Sequence, residues 1–157
     1  MIKKKINGIW FYGLSGTGKT TASKFLKKNL FFKSLIIDGD IVRKYISTDL
    51  SYTLESRLVQ LNRVYGICKI SQMSDIFTIT STVYMNKKII KKLKKLNILI
   101  IKIDRDFNSL KKYKIYKKKN VVGLDIKTKE LDTDLIYNDG KKTFFRELNK
   151  YFIKFRY

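Results

Sequence analysis

The chain has 157 residues, 44% of them hydrophobic, the size of one domain with a core of its own. Its net charge of +22 is extreme, yet the basic residues are overwhelmingly Lys and Pro and His are absent. That pattern fits an AT-rich coding bias better than a reader of nucleic acid, which leans on Arg, so nucleic acid is an unlikely partner. No apolar run approaches the ~18 residues of a membrane span, and a lone cysteine, Cys68, excludes an internal disulfide and suits a reducing cytoplasm.

Lys3-Lys4-Lys5 followed by the apolar Ile6–Tyr12 has the outline of a secretory signal. The run is short and leads straight into a ligand-binding motif that cleavage would destroy, so a buried strand over 6–12 is expected instead. The motif is Gly13-Leu14-Ser15-Gly16-Thr17-Gly18-Lys19-Thr20, with the spacing G-x-x-x-x-G-K-T of a phosphate-binding loop. Its glycines let successive backbone N–H groups point at phosphate oxygens, and the helix that follows adds its positive dipole end. Gly13, Ser15, Gly16, Thr17, Gly18, Lys19, Thr20 and Thr21 are therefore expected to bind ATP. Lys19 would reach the β/γ-phosphates, and the Thr20 hydroxyl would ligate Mg²⁺. A helix over 19–29 completes the strand–loop–helix context.

A second strand over 34–38 ends in Asp38-Gly39-Asp40, and a helix over 40–47 carries Arg43. In an open α/β sheet ligands bind at the carboxyl ends of the strands, so both acids should share an edge with the loop. One of the two acids, Asp38 or Asp40, can hold Mg²⁺ through water, and the other can take the proton of an attacking hydroxyl. Arg43 suits an anionic group on the second substrate. Helices over 55–73 and 86–96 flank a strand over 75–81, and strands over 97–103 and 133–137 follow, with a last helix over 140–154. The run Lys111–Lys119, which interleaves Tyr113, Ile115 and Tyr116 with lysines, lies in a predicted helix over 107–118. It reads either as a solvated helix or as a basic lid around 107–121 that closes over phosphates. Strands alternating with amphipathic stretches predict an α/β fold: a mostly parallel five-stranded sheet with helices on both faces, in one domain spanning 1–157.

The phosphate loop and Asp38-Gly39-Asp40-x-Val42-Arg43 together resemble the adenylylsulfate (APS) kinases, which are P-loop kinases. The resemblance extends over roughly residues 6–140. Asp49-Leu50-Ser51-Tyr52 resembles the family's Asp-Leu-Gly-Phe, Arg57 and Arg63 fall where it carries arginines, and Arg105-Asp106 resembles its Arg-Asp pair. Val122-Gly123-Leu124-Asp125 resembles its Thr-Gly-Ile-Asp. The resemblance implies transfer of the ATP γ-phosphoryl to the ribose 3′-hydroxyl of adenylylsulfate, with Lys19, Asp38 and Asp40 as catalytic residues. It also implies acceptor contacts from Asp40, Arg43, Tyr52, Arg57 and Gln60, the last standing where the family has Asn, and a possible homodimer. Departures cluster on the acceptor side. Ser81-Thr82-Val83-Tyr84 lacks the family's proline, Asn108-Ser109-Leu110-Lys111 replaces Lys-Gly-Leu-Tyr, and Val121 stands where an aromatic would pack on the acceptor's base. Lys119-Asn120-Val121-Val122-Gly123-Leu124-Asp125 resembles the APS-kinase-like proteins of surface-polysaccharide clusters, such as the cytidine diphosphoramidate kinase type. That keeps a cytidine diphosphate derivative open as the alternative acceptor.

Overall fold

A computed structural model describes residues 5–153. Lys3 and Lys4 of the basic N-terminal run, and residue 154 of the predicted last helix, lie outside them. Five strands form one sheet: β1 (Gly8–Tyr12), β2 (Ser34–Asp38), β3 (Phe77–Thr82), β4 (Ile98–Asp104) and β5 (Asp134–Tyr137), in the order β2-β3-β1-β4-β5. Every pairing is parallel, so each strand needs a crossover: α1 (Lys19–Asn29) joins β1 to β2, α2 (Gly39–Tyr45) and α3 (Leu54–Met73) join β2 to β3, α4 (Lys87–Lys95) joins β3 to β4, residues 105–133 join β4 to β5, and α6 (Lys142–Ile153) follows the last strand. Central β1 pairs with both β3 and β4 and is buried on both faces, which is why its sequence is continuously apolar rather than alternating.

Side-chain alternation along β1 divides the core in two. Trp10 and Tyr12 pack with Leu61, Val64 and Cys68 of α3 and Ile89, Ile90 and Leu93 of α4. On the other face, Ile9 and Phe11 pack with Ala22 and Leu26 of α1 and Phe144 and Leu148 of α6. Side-chain caps fix where three helices start: Asp38 accepts from Asp40 N, Thr53 from Ser56 N and Asn86 from Ile89 N. Because all strands run the same way, the β1–α1 loop and the β2–α2 junction open on one edge of the sheet.

The helix predicted over 107–118 does not form as one element. Only a single turn, α5 (Phe107–Leu110), and a 3₁₀ turn (Lys114–Lys117) are helical, and Tyr113 between them is extended. Leu110, Tyr116 and Val121 bury together against Leu14 of the phosphate loop. A continuous helix would set Tyr116 about 120° around the axis from Leu110, so both could not reach that loop. It would also stack Lys111, Lys114 and Lys118 as like-charged neighbours. Burial of the apolar residues overrides the helical pattern.

Candidate active site

The phosphate loop is shaped by its own short-range contacts. Gly13, Gly16 and Gly18 have φ of +148°, +85° and +103°. At Gly18 a side chain is excluded twice over, since a Cβ would also lie 2.4 Å from Asn138 Nδ2. The buried Thr17 donates its hydroxyl to the Leu14 carbonyl at 3.0 Å. Lys19 opens α1 and bends back so that Nζ donates to the same Leu14 carbonyl at 2.7 Å. Burial lowers the Lys19 amine from its ordinary value to about 8, opposed by the charges of Asp40 and Asp38. An ammonium so short of water is poised to gain from an arriving phosphate. Ser15, Gly16, Gly18, Thr20 and Thr21 line a cleft of about 880 Å³ together with Lys19; Gly13 and Thr17 shape the loop from behind and do not line it.

At the end of β2, Asp38 is buried and uses both carboxylate oxygens. Oδ1 accepts from Asp40 N at 2.9 Å, capping α2, and Oδ2 accepts from Thr20 Oγ1 and from Ser81 Oγ, both at 3.0 Å. The loop helix, β2 and β3 thus meet at one carboxylate. Thr20 and Asp38 offer hard oxygens side by side at the cleft, the donor type Mg²⁺ takes alongside substrate phosphates, so these residues fit that ion. Asp40, the second residue of α2, is exposed and lines the cleft. Its charge acts on Lys19 and on Arg57, which places it between the phosphate loop and the second half of the cleft.

That second half is cationic and aromatic. Arg43 lies 4.7 Å from the Tyr52 ring centroid and Arg57 lies 5.7 Å from it. Both guanidiniums donate to carbonyls: Arg43 to Leu50 and Ser51, Arg57 to Tyr52 and Asn120. No carboxylate pairs with either among the described residues, and burial together with the charge of Arg43 pulls the Arg57 guanidinium below its ordinary value. Gln60 is buried in the same wall, its Nε2 donating to Gly39 O at 3.0 Å. Arg63 is different: it forms a two-point ion pair with Asp49, at 2.5 and 2.7 Å, and does not line the cleft.

Residues from the distal chain close the wall. Tyr116 donates its hydroxyl to Ser15 O at 2.7 Å, Arg105 reaches Gly16 O at 3.4 Å, and Val121 is buried against the cleft. Asn138, at the end of β5, was not singled out by the sequence. It is buried, donates from Nδ2 to Thr17 O at 2.8 Å and accepts at Oδ1 from Gly140 N at 2.9 Å, fastening the β5–α6 turn to the phosphate loop. Ser81, which steadies Asp38, was likewise missed. The only signal for Asn138 was a polar residue ending a strand beside Asp139-Gly140, which reads first as a turn.

An all-parallel sheet with a glycine-rich phosphate loop after its central strand and a paired acid after its edge strand is the fold of the P-loop kinases. The family within that class follows from residues 5–104, which match the family model described as adenylylsulphate kinase; the chain belongs to that family. It is 36% identical over 84 residues to the adenylyl-sulfate kinase of Clostridium acetobutylicum, covering 52% of this chain and 42% of that protein. To the adenylyl-sulfate kinase of Buchnera aphidicola subsp. Schizaphis graminum it is 34% identical over 107 residues, covering 64% and 51%. The chain thus spans about half the length of the curated relatives it matches. The fold superposes on the Mycobacterium tuberculosis APS kinase CysC, solved with AMPPNP and APS, with a TM-score of 0.82 over 96% of this chain and 98% of that one, at 14% identity.

Proposed function

We propose that the protein is an ATP-dependent kinase that transfers the γ-phosphoryl group to a ribose 3′-hydroxyl of adenylylsulfate. The observation that carries this reading is the contact of Thr20 Oγ1 with Asp38 Oδ2, which joins the phosphate loop to the acids at the end of β2 in a chain of this family. The loop amides and Lys19 bind the β/γ-phosphates of ATP, and Thr20 with Asp38 holds Mg²⁺, which neutralises phosphate charge when bound. Arg43 and Arg57 take the acceptor's anionic bridge, Tyr52 its base, and Gln60 its flank. Asp40 accepts the proton of the attacking hydroxyl as the new O–P bond forms and the bond to the ADP oxygen breaks. Residues 1–157 act as one kinase domain, with 107–121 as a basic lid: Lys118 and Lys119 already line the cleft. The buried Cys68 fits a reducing cytoplasm, and no helix among the described residues is long and apolar enough to cross a membrane.

The test is turnover of the purified protein with ATP and Mg²⁺, offering adenylylsulfate and cytidine diphosphate derivatives in parallel and weighing the products by mass spectrometry. Phosphorylated adenylylsulfate is expected. Turnover confined to a cytidine-linked acceptor would overturn the acceptor assignment and trace it to Val121, the buried aliphatic where relatives were expected to carry an aromatic.

A further inference from the structure

The side chain of Asn138 grips the phosphate loop from behind. It is 7% exposed, yet both of its polar atoms have partners. Nδ2 donates to Thr17 O at 2.8 Å, and Oδ1 accepts from Gly140 N at 2.9 Å. A carbonyl can only accept and an N–H can only donate, so these two partners leave the carboxamide one orientation. The backbone of Asn138 is held as well, its N–H donating to Asp104 O at 2.8 Å. The amide is therefore carried on the paired ends of β4 and β5 rather than on a free loop.

This grip decides the direction of one peptide unit. The unit is planar and trans, so the carbonyl of Thr17 and the N–H of Gly18 point opposite ways. With Thr17 O turned outward to Asn138, Gly18 N–H turns inward, and Gly18 lines the cleft whereas the buried Thr17 does not. The residue at 18 does not enforce this. Gly18 has φ of +103°, but glycine populates positive and negative φ about equally, so it also tolerates a half-turn of the peptide that aims Thr17 O at the phosphates. The glycine is needed for another reason: a Cβ there would lie 2.4 Å from Asn138 Nδ2, in the space through which the amide reaches the loop. Gly18 admits Asn138, and Asn138 removes the choice that glycine leaves. Helix α1 also starts at Gly18 with no side-chain cap, unlike α2, α3 and α4, so no capping side chain competes for N–H groups at its start.

We propose that Asn138 is a positioning residue for nucleotide binding: it holds the Thr17–Gly18 peptide so that Gly18 N–H faces the phosphates before ATP arrives. The proposal rests on the loop being the ATP site and not on the identity of the acceptor. A carbonyl in the place of that N–H would repel phosphate oxygens, so a loop without the amide loses affinity to the cost of turning the peptide.

The test is binding of ADP with Mg²⁺ to the whole chain, measured by calorimetry. Asn138→Leu keeps the branched shape and removes the donor, whereas Asn138→Ala removes both. An amide that merely filled space would let the Leu variant bind like the wild type and leave only the Ala variant impaired. The positioning role predicts that both lose affinity, roughly 10- to 100-fold, the range for leaving one buried acceptor unpaired, with circular-dichroism spectra like that of the wild type. A second readout follows the peptide itself. Thr17-Gly18 is the only Thr-Gly step in the sequence, so ¹³C-carbonyl threonine with ¹⁵N-glycine isolates the Gly18 amide by NMR. ADP should move that resonance strongly downfield in the wild type and little in Asn138→Leu. ADP binding by Asn138→Leu within twofold of the wild type would overturn the proposal, as would a Gly18 resonance that ADP leaves unmoved in the wild type. A wild type that bound no ADP would overturn the reading of the loop as a nucleotide site, and this proposal with it.

Discussion

The two walls of the cleft are built over very different spans of chain. On the phosphate wall Lys19 reaches Leu14 across 5 residues and Thr20 reaches Asp38 across 18. On the distal wall Arg57 reaches Asn120 across 63, Tyr116 reaches Ser15 across 101 and Asn138 reaches Thr17 across 121. Local geometry is dictated by residue types: glycines at positive φ, an aspartate that caps the helix it begins, a hydroxyl in the first turn of α1. The distal wall is held by burial and by single hydrogen bonds to backbone carbonyls, which no local pattern announces. The phosphate wall is therefore expected to carry the chemistry, and the distal wall to tune the position of a loop that already forms.

Three experiments would break or sharpen that contrast. The largest effect is expected from Lys19→Met, which removes a buried cation from the transferring phosphoryl group and should lower turnover about 10²–10³-fold. A single-turnover assay that found near-normal rates would remove Lys19 from the chemistry. A smaller effect concerns pH. The Lys19 amine sits near 8 in the free protein and at 10.5 unfolded, so its charge is destabilising at neutral pH and folding stability from this group rises as pH climbs from about 8 toward 10.5. Nucleotide phosphate restores the proton. Affinity for ATP should hold below pH 8 and then fall, approaching tenfold per unit, with proton uptake on binding visible by calorimetry in buffers of different ionisation enthalpy. A flat profile would contradict a depressed Lys19.

The smallest effect is expected on the distal wall. Tyr116→Phe keeps the edge-on contact with Phe107, at 5.7 Å between centroids, and removes only the hydroxyl that serves Ser15 O. The loss of one such hydrogen bond, about 0.5–1.5 kcal/mol, should raise KM for ATP roughly two- to tenfold and leave kcat near normal. A collapse of kcat would mean that the distal wall shapes the transition state and that the division between the walls is wrong.

The residue types alone determined the phosphate loop, the acids after β2 and the alternation of strands and helices, because each is encoded within a few turns of chain. Burial patterns along β1, β3 and β4 are dense enough that the parallel sheet follows from them as well. The fate of 107–118 was decided only by tertiary structure: Leu110 and Tyr116, with Val121 beyond them, had a hydrophobic partner in Leu14, almost a hundred residues earlier, and a helix over 107–118 could not present both Leu110 and Tyr116 to it. The same holds for Arg63, which falls where the family carries an arginine and which the fold pairs with Asp49, and for Asn138, whose buried amide has meaning only beside Thr17 O. Short-range hydrogen bonding and backbone sterics can be read from a sequence. Which distant surface satisfies an apolar or polar side chain depends on a packing arrangement that exists only once the sheet has formed.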